Sequence, residues 1–131
     1  MKVNLDNTSL EVITGNDNIV VVDVSPPVYS KGLDVTGWPL DYIPGGHLLI
    51  KTTAGEIKPM PLNPDKTGLA PTLPDGHKYV GFQNGSILKS KPYGAVIVNG
   101  VINNKAAVFP ILDFMWDDIK EALPHIVFVE L

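Results

Sequence analysis

Twelve prolines and twelve glycines are distributed along the 131 residues, so that a breaker of regular structure recurs at short intervals. Proline lacks the backbone donor that a helix or sheet ladder needs, and glycine carries an entropic penalty in element interiors. Long helices are thereby excluded almost everywhere, and short strands joined by tight turns and ordered loops are predicted instead. No segment repeats at a fixed period, which argues against a solenoid. A chain of 131 residues with 44% hydrophobic composition is long enough for one real core and too short for two.

Several function classes fall away on composition. The absence of cysteine removes disulfides, thiolate nucleophiles and cysteine-ligated metal sites. With 10 basic against 14 acidic residues and a net charge of −4, there is no basic reservoir for neutralising phosphates, and nucleic acid is not expected as a partner. The segment Met1–Asp6 lacks the apolar run of a signal peptide. No aliphatic stretch approaches the roughly 18 residues of a membrane helix. Synthesis in the cytoplasm and no membrane partner are the expectations.

Residues 1–18 are mostly polar around a short Leu10–Ile13 run and read as an N-terminal arm that orders on contact, or alternatively as the first strand; residues 19–131 read as a single β-rich domain. Ile19–Val24 is a β-branched strand stopped by Ser25-Pro26-Pro27. Between Lys31 and Gly46 crowded turn signals predict an ordered loop. His47–Thr52 and Glu56–Met60 predict a hairpin turning near Ala54-Gly55, with Pro59 marking an edge strand. A long Pro- and Gly-rich loop then leads to a strand over Lys78–Phe82. Tyr93–Val98 is a further strand ending at Asn99-Gly100, Val101–Pro110 is a link, and Ile126–Val129 is the closing strand. Between them, Leu112, Met115 or Trp116, Ile119 and Leu123 share one face of a short helix over Asp113–Leu123, with Asp113 as N-cap and Pro110 and Pro124 as limits.

Catalytic chemistry finds no foothold, and no catalytic residue, cofactor site or small-molecule substrate is expected. Asn84-Gly85-Ser86-Ile87 lacks the glycine that follows the serine of a nucleophile elbow. Asp75-Gly76-His77 is first of all a turn, and the neighbouring Asp117 and Asp118 diverge by about 100° on a helix. His47, His77 and His125 fall in different elements without partners at metal-ligand spacing, so no metal site is expected. Asn16–Asn18 and Asn63–Asp65 lack the ligand order of a calcium loop and are explained by turn formation.

The order of elements resembles the head decoration proteins of tailed bacteriophages. The resemblance spans roughly residues 40–131 and rests on the Ile43-Pro44-Gly45-Gly46-His47-Leu48-Leu49 entry to the hairpin, Gly55, Tyr79-Val80-Gly81-Phe82, Ala95–Asn103 and the short helix before Ile126–Val129. These are similar to the family's "xPxGxxL", "AVG", "AVLVxGxVN" and "GIVV" segments, with departures at Val80 and at Pro124-His125.

The resemblance implies a mainly β, α+β subunit of β-clip type with hairpins, long loops and one short C-terminal helix. It also implies a homotrimer on the outer capsid surface of the virion that clamps neighbouring major capsid protein subunits. In that setting Leu5, Leu10, Val12 and Ile13 would form a capsid-contact arm, and Trp38, Tyr42 and Trp116 are the aromatics expected at an interface. For Trp116 a place in the core is the competing expectation. The alternative function is a tail, baseplate or carbohydrate-binding β domain in which Trp38 and Tyr42 stack on sugar.

Overall fold

A computed structural model describes residues 20–23, 28–29 and 32–129. The expected arm, with Leu5, Leu10, Val12 and Ile13, lies outside the described residues. Those described form β1 (Val20–Asp23), β2 (Val28–Tyr29), β3 (Tyr42–Ile43), β4 (Leu48–Thr52), β5 (Ile57–Pro59), β6 (His77–Gln83), β7 (Ile87–Leu88), β8 (Ala95–Ile97) and β9 (Gly100–Asn103). Two 3₁₀ turns, Asn104–Ala106 and Asp113–Met115, precede α1 (Trp116–Ala122) and β10 (Ile126–Val129). The strands assemble as a five-stranded sheet in the order β2-β8-β6-β4-β5, a three-stranded sheet β1-β9-β10 and the pair β3-β7. The result is a small mixed β/α domain with mostly antiparallel pairing and one short C-terminal helix.

The predicted hairpin forms as β4 and β5, turning through Gly55 at φ +91°, a left-handed conformation that favours glycine. Pro59 stands in β5 at the sheet edge, where its missing donor interrupts no ladder. The long loop after it is braced from within. The Asn63 side chain accepts the Thr67 amide at 3.0 Å, and a bridge between Leu62 and Leu69 closes the loop's base, with Leu69 buried. The Asn63–Asp65 cluster is thus turn chemistry.

β6 is the strand on which the two sides of the sheet depend. Strict alternation would put Tyr79 and Phe82, three residues apart, on opposite faces. A register shift between Leu49 and Ile50 pairs Leu49 with Gly81 and Ile50 with Tyr79, leaving Val80 as the extra residue of a bulge. Tyr79 and Phe82 both therefore join the core under the helix, with Leu48, Ile50, Ile97 and Ile119. Val80 turns to the other face, against the smaller cluster of Leu33, Leu49 and Val96. Gly81 sits where β8 comes closest; a Cβ there would collide with the Ile97 carbonyl oxygen and lie 2.7 Å from Val96 Cγ1.

The helix begins differently from its sequence reading. Asp113 does not cap it: the first turn is 3₁₀, Leu112 holds its N-cap position, and α1 follows with Met115 as N-cap and no capping side chain. Asp117 and Asp118 still occupy the first α turn, where the helix dipole favours negative charge. Met115, Ile119 and Leu123 are buried. Trp116 and Leu112 flank that stripe, half-buried against the core.

The expected link Val101–Pro110 is also corrected. Its first residues are part of β9, the central strand of the three-stranded sheet, paired antiparallel with β1 and parallel with β10. A parallel pair needs a crossover, and the 3₁₀ turns and α1 supply it. Asn104 holds the start of that crossover, its Oδ1 accepting the Ile111 amide at 2.9 Å. Ile102 of β9 and Ile126 of β10 bury into the same core as Phe82 and Ile119, so the two larger sheets share one hydrophobic interior.

Gly81→Ala is expected to cost about 1–3 kcal/mol by overpacking against β8. Gly68→Ala, whose added Cβ would meet nothing nearer than Asn63 Nδ2 at 3.7 Å, should stay within about 0.5 kcal/mol of the parent. Urea denaturation of the two variants checks both figures.

Candidate protein-binding surface

Trp38, expected at an interface, is 4% exposed and belongs to the interior. The turn at Gly37, with φ +79°, brings it inward, and its indole N–H donates to the Tyr42 carbonyl at 2.8 Å. Lys89 Nζ donates to the Trp38 carbonyl at 2.6 Å, tying the loop to the residue after β7. Tyr42 is half-buried in β3, opposite Leu88. Trp38 braces the loop before β3 through the Tyr42 backbone carbonyl, and its buried ring offers no open face for a sugar or a partner.

Beside Trp38 lies His47, buried with its ring edge-on to Trp38 at 5.0 Å and to Phe109 at 5.7 Å. Its Nε2 is 2.9 Å from the Met60 carbonyl, which can only accept, so Nε2 carries the proton and Nδ1 is left as a bare buried acceptor without a partner. Burial holds its pKa down to about 4, against the opposing pull of the Met60 hydrogen bond. The ring is a neutral, apolar-walled pin between the β4 entry and the residue after β5.

Trp116 takes a place between the two expectations. Its ring meets Phe128 edge-on at 4.8 Å, Phe128 in turn meets Phe82 at 5.6 Å, and Lys120 Nζ rests 5.2 Å from the Trp116 ring centre. An aromatic row therefore runs from the core to the outside of the helix, and Trp116 is its half-buried outer member.

Among the described residues the large apolar side chains that face solvent are others: Tyr93 is 72% exposed, Phe114 65%, Val127 57% and Val108 41%. Sequence reading placed Tyr93 inside a strand, whereas β8 begins two residues later. Phe114 stands one position off the buried stripe of Met115, Ile119 and Leu123, and that offset is the signal that could have found it. Val127 follows from alternation, between inward Ile126 and half-buried Phe128.

Phe114 borders an open groove of about 670 Å³ between the helix and the start of β6, with Pro71, Leu73, Tyr79, Asp118 and Glu121 among its walls. Burial raises the Tyr79 pKa, and the Asp118 carboxylate adds to the shift. Tyr93 borders a second hollow, of about 900 Å³, on the opposite side of the five-stranded sheet beside Leu33, Glu56, Ile57 and Pro92.

Among the described residues no three His, Cys, Asp or Glu side chains come together as a metal ion would require. His77 is bound at Nδ1 to the Asp75 backbone carbonyl at 2.8 Å, and its amide closes a turn onto Pro74, with Gly76 at φ +75°. That segment is a turn, not an acid–base pair. Among the described residues no helix is long and apolar enough to cross a membrane. Compared with protein-family models, curated proteins and solved structures, the chain matches none.

Two outcomes follow from the internal aromatics. Because the unfolded chain protonates His47 near its ordinary pKa of 6.5 and the folded chain only near 4, its contribution is fully present above about pH 6.5. It is then lost as pH falls towards 4, about 3 kcal/mol in all. Denaturation midpoints across this window should flatten in His47→Gln relative to the parent. Trp116→Ala should lower stability by about 2 kcal/mol, below the range of a fully buried Trp, with the loss of near-UV ellipticity reporting the broken contact to Phe128.

Proposed function

We propose that this chain is a non-catalytic structural subunit of a tailed-bacteriophage head, a decoration protein of β-clip type that binds the outside of the shell as a homotrimer and clamps adjacent major capsid protein subunits. The observation that carries the reading is the surface. A small β domain leaves Tyr93, Phe114 and Val127 largely in water, while among the described residues no three His, Cys, Asp or Glu side chains gather as a metal ion would require. Exposed aromatic rings are costly to a free subunit and useful to one that is covered in an assembly. Contacts repeated over a lattice add through multivalency, so none of them has to be tight alone.

The positions that carry the family resemblance support it further, because each has a structural task here. Ile43–Leu49 leads into β4, Gly55 turns the hairpin, Gly81 admits β8, and Asn99-Gly100 is the point where the chain crosses from the five-stranded to the three-stranded sheet. The Leu33 amide donates to the Pro92 carbonyl at 2.7 Å and the next amide, of Asp34, to the Ile57 carbonyl at 2.8 Å. These bonds draw the segment before β8 towards β5 across an intervening pair of strands, the kind of curling that a bent β ribbon requires. The sugar-binding alternative rests on Trp38 and Tyr42 as a platform; the Trp38 ring is buried and Tyr42 is half-buried.

The test is binding of the purified chain to expanded heads, read by gel densitometry. A decoration subunit saturates at on the order of hundreds of copies per particle. Saturation at a few copies would mean a tail or baseplate component, and no binding would end the reading. Deleting residues 1–14 is expected to weaken head binding about tenfold or more while leaving the denaturation transition in place.

A further inference from the structure

We propose that Asn84 is a self-modifying position, converted through a succinimide with Gly85 to isoaspartate and aspartate, whereas Asn99, the other asparagine that precedes a glycine, is held inert by the fold. Such a change needs no partner and is independent of the assembly role above.

Glycine follows asparagine twice in this chain, at Asn84-Gly85 and Asn99-Gly100. With no Cβ on the second residue, its backbone nitrogen can approach the asparagine side-chain carbonyl carbon closely enough to attack it. At Asn84 the Gly85 amide gives its proton to hydroxide, its nitrogen bonds to Asn84 Cγ, and the Cγ–Nδ2 bond breaks to release ammonia. Water then opens the five-membered ring. Addition at Cγ gives aspartate, and addition at the backbone carbonyl carbon gives isoaspartate.

The turn between β6 and β7 meets the demands of this chemistry. Asn84 is exposed, and an added Cβ at Gly85, with φ +77°, would meet nothing within 4 Å. Among the described residues no hydrogen bond holds the Gly85 amide or the Asn84 side chain. Proton loss from Gly85 puts negative charge on the Asn84 backbone oxygen, and that oxygen already accepts from Gln83 Nε2 at 3.1 Å. Gln83 is fully buried, and its second bond, to the Gly85 carbonyl at 3.1 Å, fixes the amide in place. A preorganised donor therefore lies where the charge develops.

Asn99-Gly100 meets the opposite conditions. Gly100 is buried in β9 between Asp23 of β1 and Ile126 of β10, and its amide donates to the His125 carbonyl at 3.2 Å. Closing a ring there would break that bond and pull the nitrogen out of a central strand.

The modification falls where the chain reverses towards the β4 entry. On one side of Asn84 the Gln83 carbonyl accepts the Gly46 amide at 2.7 Å, and on the other Ser86 Oγ accepts the Gly45 amide at 3.0 Å. Isoaspartate lengthens the main chain by a methylene between these two anchors and adds a negative charge to a chain already at −4.

Incubation of the full chain at mildly alkaline pH tests the assignment, followed by intact mass and by peptide mapping that separates isoaspartate from aspartate. In the folded protein Asn84 is expected to convert at least about tenfold faster than Asn99, and the two rates should come within about twofold of each other in urea, where both pairs are solvated. Gln83→Met, which removes the donor, should slow Asn84 about threefold or more in the folded chain and leave its rate in urea unchanged. Asn84→Gln should remove the first step of mass gain. Comparable rates at the two asparagines in the folded parent, a ratio that persists in urea, or a folded Gln83→Met chain that converts no more slowly than the parent would overturn the proposal. The parent's folded and urea rates need no variant, so they decide the matter even if Gln83→Met does not fold.

Discussion

The close approach of β8 to β6 at Gly81 is the constraint from which the rest of the architecture follows. Only a residue without a side chain leaves room there for the Ile97 carbonyl and the Val96 side chain. The neighbouring bulge at Val80 then lets Tyr79 and Phe82 face the same way. That shared direction makes the floor on which Met115 and Ile119 pack, and the bulge leaves Val80 to join Leu33, Leu49 and Val96 in the second cluster. One glycine and one extra residue therefore apportion the hydrophobic side chains between two faces.

Loops make up much of this molecule, and buried backbone groups in loops need partners. The interior side chains of polar residues supply them. Gln83, fully buried, donates through Nε2 to the carbonyls of Asn84 and Gly85, and Asn104 accepts from Ile111. His47 and Trp38 donate to Met60 and Tyr42 in the same fashion. Gln83 Oε1 and His47 Nδ1 are left without partners, a cost that such positions carry in exchange for fixing a chain reversal. The aromatic and polar residues that look functional in the sequence are thus largely consumed by holding loops, and the surface available to partners is made by residues of less conspicuous context.

Much of the strand content was legible locally. The hairpin of β4 and β5, the strand around Lys78–Phe82, the strand before Asn99-Gly100, the short helix and the closing strand all announce themselves through alternation, turn residues and proline limits. What escaped has a common cause. β9 pairs with β10 in parallel across the intervening crossover from Asn104 to His125, so nothing near Val101 and Ile102 in the sequence marks them as a central strand. The 3₁₀ start of the helix displaces the cap from Asp113, because a first turn wound more tightly presents different groups at its end. Trp38 reads as an interface aromatic because it is a large amphipathic ring, and only its burial against His47, distant in the sequence, shows otherwise.

The sequence by itself determined a small β-rich fold with a short C-terminal helix, the absence of cysteine and a net charge of −4, and the turns at Gly55 and around Asn63, all properties of composition or of neighbours along the chain. Tertiary structure decided which aromatics are inside: Trp38 in, Tyr93 and Phe114 out, Trp116 between. Exposure is set by what packs against a side chain from distant parts of the chain. The β6 bulge inverts the inside–outside parity that a local pattern assumes, so this choice could be made only once the strands were paired.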